Sequence, residues 1–421
     1  MGKSATNGVT SDKSSVKATS LWIILLVAWL GWMFDGMEMG LYSVLAAPAL
    51  KDLLGVHDTK VVGYYVGIMF ALFLLGASLG GFIFGRMGDK YGRVKTMILT
   101  IIIYSVFTGL SAISQNTWQF GICRFIGALG LGGEWGLGVA LVMETWPNAR
   151  RPVLAGLLGS SSNVGFLVSA LINRAFFEVL GWRLIFCIGM APALLALPIF
   201  FAVREPQRWV KAKQSGQKSN LAQLFQQPLL GKTIIACLLS SVAIIGTWGV
   251  FQWIPTWVDD IVGGKVVSER AIAATWMAIG QIIGAFLGGP LAEWMGRRWS
   301  YVLFCVTSLA SVMILYGCVT TFGPALLWLA LVAGICTTTF FGWLPLYLPE
   351  LFPTRIRATG EGITFNFGRI IAAAGVVFGM GQLVSTFGSY AKAATVVGMI
   401  YVLGLVLIWF APETKGQKLP D

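Results

Sequence analysis

The sequence predicts an all-α membrane protein of twelve transmembrane helices, arranged as two pseudo-symmetric bundles of six. Three observations predict it: a composition too apolar to fold in water, a dozen apolar stretches long enough to cross a bilayer, and an internal duplication of two charged motifs.

Composition comes first. Of 421 residues, 56% are hydrophobic and only 11% are charged, against about 25% charged in soluble domains. Too little polar surface remains to cover a water-soluble core. The 52 glycines suit helices packed closely in lipid, where small residues let backbones touch. Residues 1–20 are polar, Ser-rich and lysine-bearing; they read as a disordered cytoplasmic tail without a cleavable signal peptide. The net charge of +12 sits in short loops between apolar stretches, which argues against a nucleic-acid partner. All six cysteines fall inside apolar stretches with no Cys-x-x-Cys spacing, so they read as small core residues.

A spanning helix needs about 20 mainly apolar residues. Such stretches lie near 21–48, 61–85, 94–114, 118–144, 152–179, 184–203, 233–257, 271–292, 300–319, 324–347, 359–386 and 390–410. With residue 1 inside, 21 of the 30 Lys and Arg residues fall in cytoplasmic segments and 7 in outer loops. That bias orients both ends toward the cytoplasm, as in a multi-pass protein of the plasma (inner) membrane.

The duplication is explicit. Gly85, Asp89, Gly92 and Arg93 recur as Gly289, Glu293, Gly296 and Arg297, at an offset of 204. Glu144, Pro147 and Arg151 recur as Glu350, Pro353 and Arg357, at an offset of 206. The expected organisation is a bundle over 21–203, a cytoplasmic linker over 204–232, a second bundle over 233–410 and a tail over 411–421. Leu221 to Gln227 in the linker reads as a surface-lying stretch. Repeats of this kind place a solute site at their interface near the midplane.

Gly85 to Lys95 resembles the loop signature of the major facilitator superfamily, and the likeness covers the whole chain. Pro412-Glu-Thr-Lys-Gly416 is similar to the sugar-porter ending, while Arg204-Glu-Pro-Gln-Arg208-Trp matches the sugar-porter string only in part. Asp35-Gly-Met-Glu38, Gly132-Gly-Glu134-Trp135 and Phe365-Asn-Phe-Gly-Arg369 resemble the metabolite:proton symporters, whose members move lactate, sialic acid and aromatic acids. The resemblance implies the major facilitator fold and alternating access.

The repeated loop charges suit a latch. Asp89, Arg93 and Glu144, with Glu293, Arg297 and Glu350 in the second half, are expected to form a cytoplasmic gate holding an outward-open state. Lys90, Lys95 and Arg298 read as solvated loop charge.

Charges inside a span are functional candidates by default. Asp35 lies about 21 Å into the first span and Arg124 about 9 Å into the fourth from the other side. In a core of about 30 Å these depths coincide, so Asp35 and Arg124 are expected to pair, with protonation of Asp35 releasing Arg124. The resemblance to proton-coupled sugar porters implies the same pair. Glu38 either shares the proton or faces an aqueous cavity; Glu134 is either a second proton stop or a packing hydrogen bond. The sole histidine, His57, lies in an outer loop and leaves proton carriage to carboxylates.

Arg369 lies about 15 Å into its span, at the midplane, and a guanidinium there binds a carboxylate strongly. Asn366, Asn163, Gln252 and Gln281 either complete a polar lining with it or serve as interhelical hydrogen bonds. Trp135, Trp248, Phe251 and Phe365 are candidates for an apolar wall.

The glycines between Gly127 and Gly133 lack the strand and lysine of a nucleotide loop. No catalytic set or metal-ligand cluster is visible, so no enzyme, cofactor or metal is expected. The expectation is a monomeric proton symporter of a small organic anion, a monocarboxylate such as lactate or pyruvate. The alternative is a proton-coupled or facilitative sugar or polyol carrier; a transporter-like sensor is the more distant one.

Overall fold

The computed structural model describes residues 18–215, 220–251, 254–263, 267–378, 383 and 386–421. Most of the expected N-terminal tail lies outside them. In the first half the helices are α1 (Ala18–Leu54), α2 (Thr59–Tyr91), α3 (Arg93–Ser111), α4 (Thr117–Thr145), α5 (Arg151–Ile188) and α6 (Ala196–Ala202). The linker carries α7 (Gln207–Gln214). The second half has α8 (Leu229–Phe251), α9 (Ile254–Val262), α10 (Val267–Met295), α11 (Arg297–Cys318), α12 (Pro324–Leu351), α13 (Arg357–Phe378), α14 (Tyr390–Gly398) and α15 (Ile400–Leu407).

Apolar runs form helices here because lipid offers no partner for a bare N–H or C=O, and a helix satisfies both internally. Polar residues mark the starts: Asp58 accepts from Lys60 N at the head of α2, and Asn116 from Gln119 N at the head of α4. Ten helical stretches among the described residues are long and apolar enough to span a bilayer. The expected fifth and sixth spans run together across Gly181, whose φ of 65° turns the chain without a loop. The expected eleventh span is α13, which carries Glu361, Asn366 and Arg369 among apolar residues.

Within the first half α1 packs on α5, and α2 and α3 pack on α4; in the second, α10 and α11 pack on α12 and α8 packs on α13. Two long seams join the halves, α2 against α13 and α5 against α10. Approach is close: a Cβ on Gly362 of α13 would stand 2.2 Å from the Gly81 carbonyl of α2. On the side of the repeated loops one continuous apolar core runs through both halves. On the opposite side each half keeps its own core, one around Leu45, Phe120 and Phe186, the other around Trp257, Leu315 and Leu326. Among the described residues the two bundles thus share an apolar core at the loop-signature end and do not share one at the other.

The stretch expected to lie on the surface is a 3-10 turn, Leu221–Phe225, that buries Leu224 completely while Phe225 stays outside.

Candidate functional site

The charged end is built from two short turns. Gly92 (φ 123°) and Gly296 (φ 90°) take left-handed conformations that let one helix stop and the next start at once. The N–H groups freed at the heads of α3 and α11 need acceptors. Glu205 accepts from Arg93 N, Val94 N and Lys95 N at 2.7, 3.1 and 3.3 Å. Glu413 accepts from Arg297 N and Arg298 N at 2.9 and 3.0 Å. Burial opposes ionisation of Glu413, but the N–H groups of Arg298, Arg297 and Lys415 outweigh it and hold the carboxyl below its usual range. The two sugar-porter-like strings are therefore capping devices, each anchoring a loop signature.

All six residues expected at the gate enter one of two charge clusters. In the first, Arg93 meets Asp89 at 2.7 Å and Glu144 at 3.1 Å, and donates to the carbonyls of Gly88 and Thr354. Glu144 also binds Arg357 of the other half at 2.8 Å. Asp89 crosses the seam too, accepting from Ala358 N at 3.2 Å, Thr359 N at 2.9 Å and the Thr359 hydroxyl. In the second cluster Arg297 meets Glu293 at 2.9 Å and Glu350 at 2.7 Å. Arg298 departs from the solvated reading: its Nε donates to Ala411 O at 2.7 Å. Lys90 stays outside, over the exposed Tyr91 ring at 4.9 Å.

Deeper in, the expected Asp35–Arg124 pair does not form. Arg124 binds both oxygens of Glu38 instead, Glu38 also accepts from Thr108 at 2.8 Å, and the rings of Tyr42, Phe73 and Phe186 surround the guanidinium at 4.8 to 5.6 Å. Depth alone misassigned the partner. Residues three apart on a helix point about 60° apart, and Glu38 faces α3 and α4 while Asp35 faces the second half. Glu38 is 2% exposed, so it does not line open water.

Asp35 is 1% exposed, its Oδ1 has no hydrogen-bond partner, and the cation it interacts with is Arg369 of α13. Arg369 lies over the Phe365 ring at 5.4 Å, and among the described residues no carboxylate comes within ion-pairing distance of it. Glu134 packs against Gly31, one turn before Asp35, and neither of its oxygens accepts a hydrogen bond. The packing bond considered for Glu134 is therefore not made.

The amides divide. Asn366 donates to Gly132 O at 3.1 Å and Gly362 O at 2.9 Å, so it ties α13 to α4. Asn163 donates to Gln281 O at 3.4 Å across the α5–α10 seam. Gln252 lies outside the described residues, as does the side chain of Phe251. Trp135 stacks on Phe365 with centroids 3.7 Å apart, a floor between the halves, and Phe166 meets Trp248 edge-on at 5.9 Å. The arrangement sets Asp35, Glu134 and Arg369, all buried, at the half–half interface near the Trp135–Phe365 stack, with the two charge clusters at the loop-signature end.

Sequence reasoning did not single out Glu361, which is fully buried among the latch charges. The signal was present: an acid four residues after Arg357, inside an apolar run.

Known proteins agree with this architecture. Residues 21–268 match the model of the Major Facilitator Superfamily, and residues 232–416 match that of the sugar (and other) transporters. A sialic acid transporter of Escherichia coli is 31% identical over 346 residues, covering 82% of this chain and 83% of its own. A cis,cis-muconate transport protein of Acinetobacter baylyi is 27% identical over 416 residues, covering 96% and 98%. The proton:xylose symporter XylE of E. coli, bound to 6-bromo-6-deoxy-D-glucose, shares the fold with a TM-score of 0.80 at 19% identity, over 95% of this chain and 98% of that one. The two bundles, the duplicated loop signature and these matches make the chain a member of the major facilitator superfamily: a multi-pass membrane transporter of small organic solutes, not an enzyme.

Proposed function

We propose that the protein is a proton-coupled symporter of a small organic anion, working by alternating access as a monomer in the plasma membrane with both ends cytoplasmic. One observation carries the reading. Arg369 is a buried guanidinium at the half–half interface with no carboxylate in pairing distance among the described residues, and it faces Asp35 from the opposite bundle.

Coupling follows from that opposition. An ionised Asp35 competes for the Arg369 charge. A proton on Asp35 removes the competitor and leaves the guanidinium free to take a carboxylate by paired hydrogen bonds. Proton and anion therefore load together. Glu134, unpartnered one turn along from Asp35, serves as a second stop for the proton. The Glu38–Arg124 pair, joined by Thr108 and surrounded by three rings, is a fixed brace rather than a carrier.

One free guanidinium suits one carboxylate, hence a monocarboxylate such as lactate or pyruvate. The solutes for which the relatives above are named, sialic acid and cis,cis-muconate, are also carboxylic acids. A sugar or polyol carrier is the second reading, favoured by the sugar-transporter match over 232–416.

Uptake into proteoliposomes with an imposed pH gradient tests both. Wild type accumulates the anion. Asp35→Asn exchanges it without accumulation, and Arg369→Gln lowers affinity at least about tenfold, a loss of about 1.4 kcal/mol. Unchanged accumulation by Asp35→Asn removes the proton role; unchanged affinity in Arg369→Gln favours a neutral substrate.

A further inference from the structure

Glu361 sits one turn into α13 from Arg357 and has no accessible surface. Neither of its carboxylate oxygens accepts a hydrogen bond. The charged groups that act on it come from four helices: Arg357 on its own helix, Glu144 on α4, Arg93 on α3 and Asp89 on α2. Of the other helices packed on α13, α8 has Lys232 as its one charged residue, in its first turn, and α12 has only Glu350, committed to Arg297 and Thr414.

The four nearby charges already balance. Arg93 pairs with Asp89 and Glu144, and Arg357 pairs with Glu144. Oε2 of Glu144 and Nε of Arg93 are themselves without partners, and neither Glu361 oxygen bonds to that free Nε–H, so the pairing within the cluster does not extend to Glu361. An ionised Glu361 would add an anion beside arginines already paired with other carboxylates, with no N–H or O–H bonded to it, in a place sealed from water. Architecture does not require an acid there either: the first-half residue at the same offset of 206 is Ala155.

We infer that Glu361 is a second proton site, facing the cytoplasm, whose protonation holds the latch shut and whose ionisation favours its opening. Closed, the latch excludes water and admits only the neutral acid. Parted, it lets water reach the head of α13, where the carboxylate is solvated and releases its proton. The closed state binds one more proton than the open state, so it is favoured at low pH and loses ground as cytoplasmic pH rises. This rests on the alternating-access reading but not on Asp35 or Arg369.

The test is a spectroscopic distance across the latch, with labels at the exposed positions Tyr91 on α2 and Trp294 on α10 in a background whose native cysteines are replaced. Between about pH 6 and about pH 8 the open-to-closed ratio of the otherwise unmutated protein should climb by up to tenfold per pH unit, the limit for one proton. Glu361→Gln should flatten that slope and hold the closed distance throughout, while Glu361→Asp should keep a slope. Asp35→Asn should keep the slope while abolishing accumulation, which separates this site from the chamber. A slope that survives in Glu361→Gln overturns the inference, and so does a parent protein with no slope. Should the Gln variant fail to fold, a slope lost in Asp35→Asn but kept in Glu361→Asp overturns it equally.

Discussion

The two loop signatures share their glycines, acid and arginine at one offset, yet among the described residues only the first has its acid hydrogen-bonded across to the other half. Asp89 caps the head of α13, using the N–H groups of Ala358 and Thr359 and the Thr359 hydroxyl. Its counterpart Glu293 stops at its own Arg297 and remains half exposed. The reason is written at the receiving end. At the offset of 206, Ala358 and Thr359 correspond to Pro152 and Val153 at the head of α5. Proline has no N–H and valine no hydroxyl. In place of a bonded seam the second side has a cleft of about 140 Å³, lined by Arg151, Pro152, Glu293, Arg297 and Glu350 among others.

The arginines diverge in the same way. Arg357 is held by Glu144 at 2.8 Å, Thr354 Oγ1 at 3.1 Å and Pro420 O at 2.6 Å. Arg151 is 5% exposed, its Nε is unpartnered, and among the described residues no carboxylate lies in pairing distance. Duplication copied the charges, but closure depends on donors, and one half has lost them. The latch is one-sided.

The largest expected difference is between Glu144→Gln and Glu350→Gln. Glu144 serves two fully buried arginines from opposite halves, and removing one partner of a buried pair costs about 3–5 kcal/mol. Glu350 serves the Thr414 hydroxyl and one arginine, Arg297, which keeps Glu293; losing hydrogen bonds to a charged group there costs about 2 kcal/mol. Thermal denaturation in detergent should rank the two in that order. Equal losses would mean that both clusters close the protein alike.

A smaller contrast separates Asp89→Ala from Glu293→Ala. The first removes a helix cap and a buried ion pair, with a cap alone giving about 1–2 kcal/mol. The second removes a half-exposed partner, for which less than about 1 kcal/mol is expected. Label distances between α2 and α10 should show the loop-signature end opening in the Asp89 variant and unchanged in the Glu293 variant.

How much of this was legible in the sequence depended on which physical signal each part carries. Spans, halves and the six gate residues follow from apolar length and a repeat offset, both of which a single sequence displays. The depth of a charge is also legible, since rise per residue is fixed. Facing is not: Asp35 and Glu38 differ by three residues and by the helix they address, and only packing reveals that Arg124 belongs to Glu38. Asn366 shows the same limit, because an amide one turn from Arg369 fits a chamber or a joint equally well until Gly132 O is found beside it. Glu205 and Glu413 were seen as parts of family strings, and their capping role needed the helix heads of α3 and α11 to be placed.

The smallest expected effect is also the most direct probe of the one-sidedness. Pro152→Ala with Val153→Thr gives α5 the N–H and hydroxyl that α13 already has. Proline at the head of a helix is favourable in itself, so part of the gain is offset, and a net stabilisation of about 0.5–1 kcal/mol is expected from the new cap. In transport it should appear as slower uptake, because a second bonded seam must break before the loop-signature end can open. The decisive measurement is a double-mutant cycle with Glu293→Ala. In the native background Glu293→Ala should be nearly silent. In the donor-restored background it should erase the gain, since the new donors act only through that carboxylate. If the gain persists without Glu293, the restored groups have found another acceptor, and the missing donors are not what keeps the second half of the latch open.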